Sequence, residues 1–200
     1  MYTPYIRISS GNNPYTTLDP GTASPRNTVG AIYSGPPAAT SVATGASATK
    51  GYSAQPVLKY VLYLSTTNPT PSAYPAPVYY TDESFSTVSG NAAEAFYTTS
   101  GACVAGYLLP NSTAIASLTA TQLNNSYCFI QVGGLLVGAA APTTLTAAGV
   151  GNYIYGATTG NFTSIVNSSV VGRLLGVQWT AIASSACDVL VGGYTSFWGS

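Results

Sequence analysis

Residues 57–64 of this chain read Val57-Leu58-Lys59-Tyr60-Val61-Leu62-Tyr63-Leu64. β-Branched, aromatic and leucine side chains dominate the run, and prolines stand on both sides of it, at Pro56 and Pro69. These residue types are enriched in strands, and proline is excluded from a strand interior. The run therefore predicts a β-strand, and this strand marks the point at which the pattern of the chain becomes β.

Short apolar runs separated by Gly, Pro and Asn continue from this strand to the C-terminus. Further strand candidates are residues 78–80, 81–88, 102–109, 127–132, 153–155, 162–166, 170–183 and 187–191. No long stripe of 3.6-residue period occurs, and the best helix candidate, residues 117–123, is one or two turns long. The pattern predicts an all-β fold, a small β-sandwich or barrel-like domain over residues 57–200.

Residues 1–56 have a different composition from the rest. Prolines recur in a background of Gly, Ser, Ala and Thr, and residues 35–53 contain almost no large apolar side chain. Each proline removes a backbone donor and pushes the preceding residue toward extended geometry. We therefore expect an extended Pro/Gly-rich N-terminal arm with one or two short strands, at 5–8 and 29–33, ordered mainly by packing on another surface.

The charge content excludes several classes of protein. The 200 residues include five Lys+Arg, five Asp+Glu and no His, so the formal net charge is +0. A nucleic-acid binder needs a basic face and a membrane-surface module needs a cationic patch, and five scattered cations supply neither. The longest apolar stretch, residues 133–141, is shorter than the roughly 20 residues that span a bilayer. We expect no nucleic-acid partner and no membrane partner.

Residues for catalysis are also scarce. Without His, only Lys50 and Lys59 remain as bases for a nucleophile, and Lys59 is expected to be solvent-facing or at a rim. Asp82 and Glu83 are adjacent, which suits a turn after Tyr80 better than a paired acid and base. No phosphate-binding or calcium-binding loop motif is present. The prediction is a protein that is not an enzyme and that has no cofactor or metal.

Three cysteines, Cys103, Cys128 and Cys187, are odd in number and far apart in the chain. A disulfide framework favours an even number, and a zinc site favours closely spaced pairs. We expect three reduced, mostly buried thiols. The N-terminus lacks the pattern of a secretory signal, which together with reduced thiols indicates synthesis in a cytoplasm.

A loose internal similarity links two parts of the chain. GYLL at 106–109 precedes CFIQVGG at 128–134, and GRLLG at 172–176 precedes CDVLVGG at 187–193. Two equivalent strand pairs within one β-domain would explain the similarity, and chance in a Gly-rich chain is the alternative.

The tyrosines have two interpretations. Tyr74, Tyr79, Tyr80 and Tyr97 would form a recognition face for protein or carbohydrate, because Tyr supplies a large rigid contact area. Alternatively, Tyr occurs here because it is favoured in strands, where its ring packs and its hydroxyl can reach water. This structural interpretation is favoured.

An uncharged stretch separates Glu94 from Arg173. Exposed charge normally keeps proteins soluble and apart, so a monomer with so neutral a surface would associate. The pattern indicates that much of the surface is buried in an assembly.

Four segments near the C-terminus carry a family resemblance. They are GNYIY at 151–155, TGNFT at 159–163, VGRLLGV at 171–177 and ACDVLV at 186–191. In this order they resemble the tail of the capsid decoration (cement) proteins of tailed bacteriophages, over roughly residues 127–193. The motif positions are Gly151, Tyr155, Gly160, Gly172, Leu175, Gly176, Val177, Val189 and Val191. Asn152 and Trp179 depart from the family pattern, and the N-terminal arm has no match.

The resemblance implies a small β-domain, a homotrimer, bound to the outside of an icosahedral head and clamping neighbouring major capsid subunits. It implies no catalytic residues. The expected location is therefore the capsid exterior, with the major capsid protein as partner. The alternatives are a receptor- or glycan-binding fibre or adhesin module, another minor capsid component or a major shell subunit, and, least favoured, a secreted enzyme.

Overall fold

A computed structural model of the chain describes residues 6–7, 19–20, 24–34, 56–64, 75–91, 94–96, 104–109, 125–140, 151, 153–157, 162–163, 170–178 and 186–192. Within these ranges there are twelve strands and no α-helix, so the predicted all-β, barrel-like class is confirmed. The helix candidate at 117–123 lies outside the described residues, as do Lys50, Tyr74, Tyr97 and Cys103.

The strands are numbered in chain order. They are β1 (Ile6–Arg7), β2 (Asp19–Pro20), β3 (Ile32–Ser34), β4 (Val57–Tyr63), β5 (Ala76–Tyr80), β6 (Thr87–Ser89), β7 (Val104–Leu108), β8 (Ser126–Ala140), β9 (Tyr153–Ala157), β10 (Phe162–Thr163), β11 (Val170–Gln178) and β12 (Ala186–Val191).

Five of these strands close into a barrel. The order around it is β4, β6, β5, β7 and β8, and β8 pairs with β4 to complete the ring. The β4–β6 pair is parallel, with Leu62 opposite Thr87, and the other four pairs are antiparallel. A closed barrel leaves no free edge, so its strands are fully paired around the ring.

Apolar side chains fill the inside of this barrel. Because side chains alternate along a strand, only every second residue points inward, and each of the five strands contributes to one buried cluster. Its members are Val61, Tyr63, Val78, Tyr80, Val88, Ala105, Leu108, Cys128 and Ile130.

The long strand β8 leaves the barrel halfway along its length. Up to Gly133 it pairs with β4, and from Gly134 onward it pairs with β12. Gly134 has a φ of 81°, a backbone conformation that glycine adopts without the steric cost of a side chain. The C-terminal half of β8 continues into a second sheet in the order β8, β12, β11, β9 and β10.

A second buried cluster covers the outside of the barrel. It combines outward-facing barrel residues with residues of the second sheet and of the N-terminal region, so it joins the three parts into one core. Its members are Tyr33, Leu58, Tyr60, Tyr79, Ala95, Val104, Tyr107, Leu109, Phe129, Leu136, Ile154, Cys187, Val189 and Val191.

The short strands of the N-terminal region extend the same sheet. β3 pairs antiparallel with β4, β1 pairs parallel with β3, and β2 pairs antiparallel with the start of β8. The strands expected at 5–8 and 29–33 are present in part, as β1 at Ile6–Arg7 and β3 at Ile32–Ser34, while residues 29–30 form a turn. β2 was not anticipated, since Pro20 argues against a strand.

One strand prediction is wrong, and others need new boundaries. Residues 81–88 do not form one strand, because the chain reverses at 82–85 with a φ of 51° at Phe85 before β6 begins. This reversal places β6 antiparallel to β5. The strand predicted at 127–132 extends to Ala140, because its second half finds a separate partner in β12.

The two halves of the internal similarity each form an antiparallel strand pair, but the pairs are not equivalent in register. Tyr107 lies opposite Gln131, whereas Leu190 lies opposite Val177 and not opposite Arg173, which corresponds to Tyr107. β7 pairs with β8, and β11 pairs with β12. In both pairs a glycine crosses closely over the partner backbone: a Cβ on Gly106 would lie 2.3 Å from the Gln131 carbonyl oxygen, and one on Gly176 would lie 2.3 Å from that of Leu190. Gln131 and Leu190 occupy the same position in the two cysteine-containing motifs.

We predict that Gly176→Ala destabilises the protein by about 3 kcal/mol, because the added methyl meets backbone atoms that cannot rotate away. Gly151→Ala is the matched control. Gly151 has a φ of 91° and open space around it, so only conformational strain of about 1 kcal/mol applies. Urea unfolding of the two variants measures the difference, and equal losses would contradict the close-approach argument.

Candidate functional site

The motif residues of the resemblance converge on the second sheet. Gly172, Leu175, Gly176 and Val177 lie on β11, Val189 and Val191 on β12, Tyr155 on β9, and Gly151 at the turn before β9. Gly160 lies outside the described residues. The motif residues on strands, which lie up to 36 positions apart in sequence, therefore share one sheet of directly hydrogen-bonded strands.

Two of these glycines have identifiable structural roles. Gly151 donates its backbone N–H to the carbonyl of Gln178 over 2.8 Å, which ties the turn to the end of β11. Gly176 lies opposite both Ile154 and Val191, where the small residue lets three strands approach closely. Both positions shape the sheet and carry no reactive group.

The two faces of the second sheet differ in character. Val189 and Val191 point into the core that the sheet shares with the barrel. On the opposite face, the register aligns Leu135, Leu190 and Val177 in one row across three strands, because directly paired residues share a face. Leu190 is 37% exposed in this row. Sequence reasoning missed the row, since only the register reveals it.

Among the residues whose burial is described, three charged side chains are buried, and this further reduces the charge on the surface. They are Asp19, Lys59 and Asp188. Asp19 Oδ1 lies 2.8 Å from Nε of Arg26, and its Oδ2 accepts a hydrogen bond from the Tyr60 hydroxyl. A buried charge costs free energy unless it is paired and hydrogen-bonded, and Asp19 is both.

The expectation that Lys59 faces solvent is wrong, because Lys59 is buried, and the alternative expectation of a position at the rim agrees with its bond to the turn at one end of the barrel. Its Nζ donates to Tyr80 Oη over 3.2 Å and to the carbonyl of Phe85, and it lies 4.8 Å from the centre of the Tyr80 ring. Lys59 shares a strand face with Val61 and Tyr63, so its ammonium group is positioned inside one end of the barrel. Both faces of β4 are buried, so the alternation of side chains in the sequence does not show which face Lys59 occupies.

The turn over residues 81–86 holds this end of the barrel closed. Asp82 is in a turn, as the sequence suggested, and its Oδ1 accepts from the N–H of Ser84 over 2.9 Å. The exposed ring of Phe85 packs edge-on against Tyr80 with a centroid distance of 5.2 Å. The ammonium group of Lys59 therefore fixes the turn through its hydrogen bond to the Phe85 carbonyl.

Two of the four tyrosines assigned to a possible recognition face lie within the described residues. Tyr79 and Tyr80 are both buried, so the recognition interpretation is wrong for them and the structural one holds. Burial raises the pKa of Tyr79 well above its ordinary value, because ionisation would place a charge in an apolar core.

Cys128 and Cys187 are free and buried, as expected from the sequence. Burial raises the pKa of the Cys187 thiol to about 11, with a contribution from the negative charge of Asp188. Burial, with a smaller effect of Asp19, raises the pKa of Cys128 well above its usual range. The thiolate is the reactive form, so both side chains act as packing residues.

Among the described residues, no group of three or more Cys, Asp or Glu side chains is placed to hold a metal ion. Within the same ranges, no helix has the length and apolar character needed to cross a bilayer. Comparisons of the chain with protein-family models, with curated proteins and with solved structures find no match.

We predict that the protein loses stability at alkaline pH. Cys187 keeps its proton in the fold up to about pH 11, whereas the unfolded thiol loses it near 9. Between these two values the folded state binds more protons than the unfolded state. The free energy of unfolding therefore has its full value below about pH 8 and falls as the pH rises through 9 to 11. The decrease is at most about 1.4 kcal/mol per pH unit for each titrating group. Urea unfolding at pH 7, 9 and 10.5 tests this. Cys187→Ala should reduce the decrease of the unfolding free energy with pH. An unfolding free energy that does not change with pH would contradict the burial of these acidic groups.

We also predict that Lys59→Met costs about 2 kcal/mol, because the Phe85 carbonyl and the Tyr80 hydroxyl lose a buried partner. Glu83→Gln, an exposed change in the adjoining turn, is the control and should stay within about 0.5 kcal/mol of the wild type. Thermal unfolding measures both variants. An unchanged Lys59→Met midpoint would show that the ammonium group does not hold the turn.

Proposed function

We propose that this chain is a structural virion protein that binds the outside of an icosahedral phage capsid and cements neighbouring major capsid subunits. In this role it works by adhesion as a homotrimer, with no chemical step and no cofactor.

The scarcity of surface charge is the observation that carries the proposal. Ten of the 200 residues are charged, and of the seven charged side chains whose burial the structure describes, three are buried. Among the described residues, Arg26 and Asp19 also neutralise each other. A surface with so little charge favours close apolar and backbone contacts with another protein, and salt does not screen such contacts.

The second sheet is the proposed contact surface. The segments that resemble decoration proteins lie on it, and its outer face presents the row that includes Leu190 and Val177. The exposed acidic residue Glu83 belongs to a turn of the barrel, away in sequence and sheet order from this row. This distribution supports a barrel end directed to solvent and the row with Leu190 and Val177 directed to the shell.

The receptor- or glycan-binding alternative has weaker support. It relied on four tyrosines, and two of these, Tyr79 and Tyr80, are buried in the barrel region. A glycan array or a whole-cell binding assay distinguishes this function from shell binding.

We predict that attachment to purified particles survives molar salt and is lost in denaturant, because apolar contacts are not screened. Cosedimentation with particles that lack the protein, followed by gel densitometry, measures occupancy. Release by salt alone would contradict an apolar clamp. Negative-stain images of particles with and without the chain locate it on the shell.

Leu190→Lys should reduce occupancy at least tenfold, because it places a charge in the proposed contact row. Leu64→Lys is the matched control: Leu64 has a similar exposure, 42%, but follows barrel strand β4. If both variants bind equally well, the second sheet is not the contact surface.

A further inference from the structure

We draw no further inference here: the strongest candidate, the surface patch at the turn over residues 82–85, where the exposed ring of Phe85 follows the acidic pair Asp82 and Glu83, carries nothing, because nothing among the described residues shows what would cover it.

Discussion

The shared strand β8 is the constraint on which the rest of the structure depends. Its first half closes the barrel against β4 and β7, and its second half forms the first strand of the second sheet. Gly133 and Gly134 mark the change of partner, with Gly134 at a positive φ. Because one continuous strand belongs to both parts, the register of the barrel also determines the register of the sheet that carries the motif residues.

Burial of polar groups follows from this architecture. A small barrel covered on its outside by strands has two buried layers, so many strand residues face apolar surroundings on either side. Lys59 and Asp19 are accommodated because each finds partners: the Phe85 carbonyl and Tyr80 for the lysine, and Arg26 and Tyr60 for the carboxylate. The same burial reduces the charge left on the surface, and this reduction links the core to the proposed adhesive function.

The second sheet and the N-terminal strands contribute to the structure in different ways. The row through Leu190 on the second sheet offers apolar side chains on the face opposite the core. The N-terminal strands β2 and β3 instead supply backbone pairing to the barrel, the ring of Tyr33 and the carboxylate of Asp19, which pairs with Arg26.

The sequence by itself determined the all-β class, most strand positions and the burial of Cys128 and Cys187, because residue type and alternation are local properties. Barrel closure, the extension of β8 and the burial of Lys59 were decided only by the tertiary structure. The tertiary structure alone also decided the contact between Asp19 and Tyr60, which lie 41 positions apart in sequence. It decided the cross-strand row at Leu190 as well. Each depends on which strands become neighbours, and a strand buried on both faces has no polar side from which its partner or register can be read.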